Sequence, residues 1–271
     1  MKTLRMIGMA LFAVLMCVNF VSCSSSDDDP TEEKEEVVTQ GKKLVEMVWE
    51  NGGYQSDVVY KFSYHNDGKL SQITHEFNNG ISDIKENYYY NWIDNQIKIS
   101  AEGFNYVCSL SNGLITEIME SDNKGNADSG GSTHSFTYNN SKELTNYKSE
   151  AHDDSEIRYE YSGIWNNGNM TEFKYIAGHG ESQTITYSNI KNKGWWYPSC
   201  DYIGMDYYME NAAFLFLANP SLLGKPCANL PKRIEGEYNY DFIFDIGQDG
   251  YVEKCKIVSG SSTTVYTYKW Q

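Results

Sequence analysis

The sequence is poor in proline and poor in the residue patterns that usually carry chemistry. Five prolines in 271 residues leave long stretches free to form sheet, because proline removes a ladder donor wherever it falls. The five histidines, at 65, 75, 134, 152 and 179, share no spacing, and most lie in or beside turn-like stretches. They therefore make no metal motif. No serine sits in a nucleophile elbow, and there is no phosphate-binding glycine loop, dinucleotide fingerprint or His-Glu-x-x-His. Glu156 and Glu160 could pose as a carboxylate pair, but in a strand they are two surface charges on one face. The stretch from Asp245 through Gly247 to Asp249 and Gly250 imitates part of a calcium loop. Lys256 stands where the closing carboxylate belongs, so a hairpin turn is the better reading. No cofactor is implied, and catalysis is disfavoured.

Basic charge is also scarce. Twenty-two Lys and Arg face 37 Asp and Glu, a net charge of −15. Such a chain is a poor partner for nucleic acid, where phosphate neutralisation dominates affinity. It is equally ill suited to docking on anionic lipid.

What the sequence does have begins at its N-terminus. Lys2 and Arg5 precede an apolar stretch from Ile7 to Val21, shorter than the ~20 residues a spanning helix needs. Small Ser22 then precedes Cys23. This order predicts a lipoprotein signal peptide over 1–22, cleavage before Cys23, and lipidation of that cysteine, with several acyl chains giving a stable anchor. Phe20 departs from the usual pattern, which has Leu three residues before the cysteine. Cleavage would remove Lys2 and Arg5 and deepen the net charge from −15 to −17. Residues 23–40 hold a Ser-Asp run and then Glu32, Glu33, Glu35 and Glu36. Dense like charge with little to bury predicts a solvated tether. The Ser-Asp run resembles the surface-export signal of Bacteroides-type lipoproteins. An outer-membrane lipoprotein follows, displayed on the cell surface or else facing the periplasm.

From residue 41 onward a degenerate repeat dominates. Tyr60-Lys61-Phe62-Ser63-Tyr64 alternates, Asn66-Asp67-Gly68 turns, and Leu70 to Ile73 returns. Asn, Asp and Gly accept positive φ cheaply, so each unit reads as a hairpin. Similar turns stand at Asp94-Asn95-Gln96, Ser111-Asn112-Gly113, Ser141-Lys142-Glu143, Asn166-Asn167-Gly168 and Gln248-Asp249-Gly250. The result is a mostly β domain over 41–271. It is an antiparallel meander of a dozen or more strands, curled into an open or closed barrel-like sheet. Twenty-two tyrosines suit half-exposed sheets and a sugar-binding surface equally well.

An irregular insert from about 189 to 234 breaks the rhythm. A helix is predicted over about 205–218, capped by Asp206 and stopped by Asn219-Pro220. Phe214, Leu215, Phe216 and Leu217 are too apolar for solvent, so the helix should pack on the concave side of the sheet. A membrane-spanning barrel with a polar lumen would offer it no apolar face. Cys200 and Cys227 bracket part of this insert and are the candidate disulfide. Cys108 and Cys255 sit within strand patterns and read as buried thiols.

The order of these features resembles a known family. The hairpin meander, the insert, Leu223-Gly224, Asn229-Leu230-Pro231, Asp249-Gly250-Tyr251-Val252 and a final Tyr-x-Tyr strand are similar to Bacteroides-type lipoproteins carrying the domain of unknown function 4595. The resemblance covers about residues 42–271. It implies a porin-like fold, read here as a shape, and an envelope location, and it carries no site residues.

Trp195, Trp196, Tyr197, Tyr202, Tyr207 and Tyr208 crowd one segment. They are candidate ligand-binding aromatics, able to stack on sugar rings, or else the core and rim of the curled sheet. The partners expected are a membrane, through the lipid anchor, and a glycan or peptide bound without catalysis. A hydrolase of envelope or dietary polymer, or a purely structural envelope protein, are the alternatives.

Overall fold

The computed structural model describes residues 41–51, 56–78, 80–101, 105–121, 131–152, 157–178, 181–195, 210–236 and 239–271. The chain divides into two units, Met1–Thr39 and Gln40–Gln271, and all described residues belong to the second. Cys23 and the tether therefore lie outside the described residues.

Sixteen strands are found among those residues. The first eight are β1 (Leu44–Glu50), β2 (Val58–Tyr64), β3 (Leu70–Asn78), β4 (Asp83–Ile93), β5 (Gln96–Ser100), β6 (Asn105–Ser111), β7 (Leu114–Ser121) and β8 (Ser132–Tyr138). Next come β9 (Leu144–Ala151), β10 (Ile157–Asn166), β11 (Asn169–Gly178) and β12 (Gln183–Lys191). After helix α1 (Glu210–Ala218) follow β13 (Asn229–Glu235), β14 (Tyr240–Ile246), β15 (Val252–Ser259) and β16 (Ser262–Trp270). Each strand pairs antiparallel with its sequence neighbours, and β1 pairs with β16, from Leu44 opposite Trp270 to Glu50 opposite Val265. The barrel is closed, which removes the exposed edges an open sheet would leave.

Because strand directions alternate, the connections fall alternately at two ends. All six turns read from the sequence lie at the same end, together with the insert and the two ends of the barrel chain at Lys43 and Gln271. The turn chemistry is as expected there. Asp94, Asn112, Lys142 and Asn167 have positive φ, as do Gly68, Gly113, Gly168 and Gly250. This end, where the barrel chain starts and the expected tether would join, is called the tether end; the opposite one is the loop end.

The wall is apolar inside and largely polar outside, with Tyr89, Ile93, Ile164, Ile176 and Ile243 as exposed apolar exceptions. In β2, buried Tyr60 and Phe62 flank exposed Lys61; in β5, Ile97 and Ile99 flank Lys98. On β11 Phe173 is buried beside exposed Lys174, and on β15 Cys255 and Ile257 flank Lys256. The outer charges pair across strands, Lys61 and Lys85 with Glu76, Lys269 with Glu46, and Arg233 with Asp241. Each Lys or Arg at the midplane of a lipid-facing wall would cost about 2–4 kcal/mol. This wall has the polarity of a water-facing barrel.

The helix packs in the interior. Phe214, Leu215, Phe216 and Leu217 are all nearly inaccessible. Four consecutive helical residues sweep roughly 300° of the helix circumference, so burial of all four means that protein surrounds the helix. Phe214 lies 4.6 Å from Tyr60 on β2 and 6.2 Å from Tyr88 on β4, while Phe216 meets Phe136 on β8 at 6.4 Å. Contact with strands this far apart around the wall places α1 in the lumen. Burying each large side chain contributes about 1.5–3 kcal/mol, which offsets the weakness of so short a helix. The described helix begins at Glu210, and the expected start near 205 with its Asp206 cap lies outside the described residues. The stop is as expected: Asn219 donates its N–H to the Leu215 carbonyl, and a 3-10 turn, Pro220–Leu223, follows.

The irregular stretch is shorter than 189–234, since β12 runs to Lys191 and β13 begins at Asn229. Pro231 hid this strand. It sits at a register shift opposite Tyr187, a bulge where a missing ladder donor is tolerated.

Candidate functional site

The insert leaves β12 through a tight local turn. The Asn192 side chain accepts from the N–H groups of Gly194 and Trp195 at 3.0 and 2.8 Å, and donates to the Trp195 carbonyl at 3.0 Å. This turn drives Trp195 into the barrel, where only 4% of it is accessible. Its ring meets Phe244 edge-on at 5.0 Å and Phe242 at 6.3 Å. Trp195 thus sits in the core, as the core-and-rim reading of these aromatics has it, with part of its ring lining the pocket described below. Trp196, Tyr197, Cys200, Tyr202, Tyr207 and Tyr208 lie outside the described residues.

The return leg of the insert is pinned to two hairpin turns. Lys225 N–H donates to the Lys142 carbonyl at 2.7 Å, and Ala228 N–H to the Gly168 carbonyl at 2.9 Å. Gly224 permits the first contact: its φ is +90°, and a Cβ there would stand 2.2 Å from the Lys142 oxygen. Between the two legs lies a pocket of about 70 Å³, at the tether end of the barrel. Aliphatic groups of Leu144, Met170, Ile185, Leu223 and Ile234 form much of its wall, with the rings of Trp165, Tyr187 and Trp195.

Two residues picked out in the sequence, Trp195 and Cys227, therefore meet in one pocket. Cys227 carries a free thiol whose sulfur is 3.2 Å from the Tyr187 hydroxyl. Burial pushes that thiol's pKa up, so it stays neutral. Cys108 and Cys255 are free and buried, as their strand positions imply, with Cys108 pushed up to about 12 by desolvation.

A second set of polar groups was not legible in the sequence. Glu120, Ser132, His134 and Ser149 are the buried polar residues among the described ones, and all stand on β7, β8 and β9. His134 lies opposite Ile118 on one side and Ser149 on the other. Its Nδ1 is 3.0 Å from the Tyr147 hydroxyl. Burial, aided by the charges of Arg158 and His152, lowers the imidazole pKa to about 3. His75 also faces inward from β3, stacked on Tyr60 at 4.6 Å and 3.2 Å from Glu86. Two of the five histidines are thus interior strand residues. Among the described residues no three potential ligands gather around a metal site. The calcium-like stretch is a hairpin turn: Tyr251 N–H donates to Asp249, whose carboxylate also pairs with Lys42 at 2.5 Å.

No protein-family model matches the chain, and no curated protein matches it in sequence. Solved structures do. A porin-like protein from Bacteroides uniformis superposes with a TM-score of 0.68 at 18% identity, over 85% of this chain and 98% of that one. A porin-like protein from Bacteroides vulgatus gives a TM-score of 0.57 at 13% identity, over 85% of this chain and 99% of that one. The chain has the fold of these porin-like proteins.

Proposed function

We propose that this protein is a lipid-tethered envelope protein, anchored through Cys23, that binds a glycan or peptide without catalysis and conducts nothing. One observation carries the reading: the outer wall is charged while α1 and the aromatic core pack in the interior. That combination supports a barrel that stands in water beside a membrane and holds no aqueous channel. The likeness to two proteins named porin-like supports the envelope setting, with porin taken as a description of shape. The Ser-Asp run after Cys23 supports display on the cell surface.

Cys23→Ala tests the anchor. Metabolic labelling with palmitate should mark the native chain and not the variant, and equal labelling of both would refute the assignment. Protease treatment of intact cells should remove the domain if it is displayed outside. Glycan and peptide arrays probed with the full chain test the binding role, and turnover of any polysaccharide in the panel would overturn the non-catalytic reading.

A further inference from the structure

The pocket at the tether end has a chemistry that chooses between ligand classes. A sugar ring needs hydrogen-bond partners for its hydroxyls, because each polar group buried without one costs about 1–3 kcal/mol. Among the described lining residues few are free to give them. The Trp165 indole N–H donates to the Leu144 carbonyl at 2.7 Å, and the Tyr187 hydroxyl to the Met170 carbonyl at 2.7 Å. The Asn192 amide is spent on its own turn. The Asn229 amide donates to the Ile190 carbonyl and accepts from Asn169. Cys227 adds a neutral, polarisable surface.

One lining group stands apart. Lys225 is exposed, and its ammonium has no ion pair among the described residues. The neighbouring acid, Glu143, accepts a hydrogen bond from the neutral Asn139 amide at 2.9 Å and keeps its charge, which also acts on Cys227. An apolar cup with a cation at its rim is complementary to an apolar group joined to a carboxylate. The volume of about 70 Å³ is several times the roughly 10–15 Å³ that one water requires, which suits a small aliphatic group.

We infer that this pocket binds a carboxylate attached to a small branched aliphatic group, with the aliphatic part among Leu144, Met170 and Ile185 and the carboxylate facing Lys225. The inference rests on the binding role proposed above and narrows it. The same chemistry occurs in a free short-chain acid and at the C-terminus of a peptide ending in a small apolar residue. It does not occur in a neutral glycan.

The test is a titration of the full chain, labelled at its indole nitrogens, with isobutyrate and separately with N-acetyl-glycyl-valine. Saturable shifts of the Trp165 and Trp195 signals are expected with at least one of them. Response to isobutyrate identifies a free acid as sufficient, and response to the peptide alone identifies a chain terminus. Lys225→Met should weaken carboxylate binding about fivefold, as expected for an exposed ion pair of about 1 kcal/mol. Binding of isobutyramide should be weaker than that of isobutyrate and indifferent to the substitution. No saturable shift with either carboxylate, or equal binding of amide and acid, overturns the inference. Oligosaccharide binding that leaves both indole signals unmoved would contradict this pocket and keep the protein a binder; silence of every probe in both assays would contradict both readings.

Discussion

The indole nitrogen of Trp165 donates a hydrogen bond to the backbone carbonyl of Leu144 at 2.7 Å, joining β10 to the open start of β9. The same relation recurs around the tether end. Tyr64 reaches the Leu44 carbonyl at 2.6 Å, Trp92 reaches Leu70 at 2.8 Å, and Tyr138 reaches Ile115 at 2.6 Å. Tyr187 bonds to Met170 at 2.7 Å and Trp270 to Val252 at 2.6 Å. Each pair of strands so joined is connected covalently only at the loop end. Tight turns and aromatic bonds therefore alternate around the tether end, and half-buried tyrosines and tryptophans satisfy their polar tips there.

Removing one such bond should weaken the barrel measurably. Trp165→Phe keeps most of the ring and deletes the donor, so a loss of about 1 kcal/mol is expected. Trp92→Phe should cost a similar amount, and the two should add because the sites are far apart in the wall. Urea unfolding followed by circular dichroism checks both. Unchanged midpoints would mean that these bonds contribute nothing to stability.

The aromatic strand ends were legible as a repeat, but their partners were not. A hairpin signature such as Asn167-Gly168 announces a turn between β10 and β11 because positive φ restricts residue choice locally. The bond from Trp165 to Leu144 depends on pairing across 21 residues, which no local pattern encodes. At the loop end Asn51, Gly80, Gly178 and Gly260 also have positive φ, but the six turns read from the sequence all belong to the other end. The helix was visible because Phe214–Leu217 is apolar on every side. The cluster of Glu120, Ser132, His134 and Ser149 was invisible for the opposite reason: isolated polar residues gain meaning only once the pairing register of β7, β8 and β9 sets them side by side on the buried face.

His134 should make the fold sensitive to acid. Its folded pKa of about 3 lies below the ordinary value of 6.5 because burial, then the Arg158 and His152 charges, oppose protonation. The unfolded chain binds this proton first, so the His134 contribution is complete above about pH 6.5 and is lost progressively as pH falls toward 3. Between pH 7 and pH 5 the loss is on the order of 2 kcal/mol. His134→Gln should flatten that slope in urea melts at the two pH values. An identical slope in the variant would remove His134 from the account.

Gly224 should tolerate no side chain. A Cβ would meet the Lys142 carbonyl oxygen at 2.2 Å and the Tyr138 ring at 3.0 Å, at a φ of +90°. Gly224→Ala should destabilise the protein by about 1–3 kcal/mol from backbone strain alone, and more where the contact cannot relax. Differential scanning calorimetry would register a lowered Tm, and a wild-type Tm would show that the return leg of the insert is not held as described.

Packing of α1 in the lumen should be equally visible. Phe216 is fully buried and meets Phe136, so Phe216→Ala should cost about 3–5 kcal/mol through the cavity it leaves. A change below 1 kcal/mol in urea unfolding would argue that the helix does not pack inside the barrel.

The central claim is that the barrel wall faces water on its outside. The most direct measurement places single cysteines at Lys61, Lys98, Lys174 and Lys256, exposed positions on β2, β5, β11 and β15. The membrane-attached full chain is then treated with a charged, membrane-impermeant maleimide, and each labelling rate is compared with the same variant extracted in detergent. The account predicts fast labelling at all four positions, unchanged by extraction. Protection of these mid-strand positions in the membrane, relieved by detergent, would contradict it and would make the barrel a membrane-spanning one.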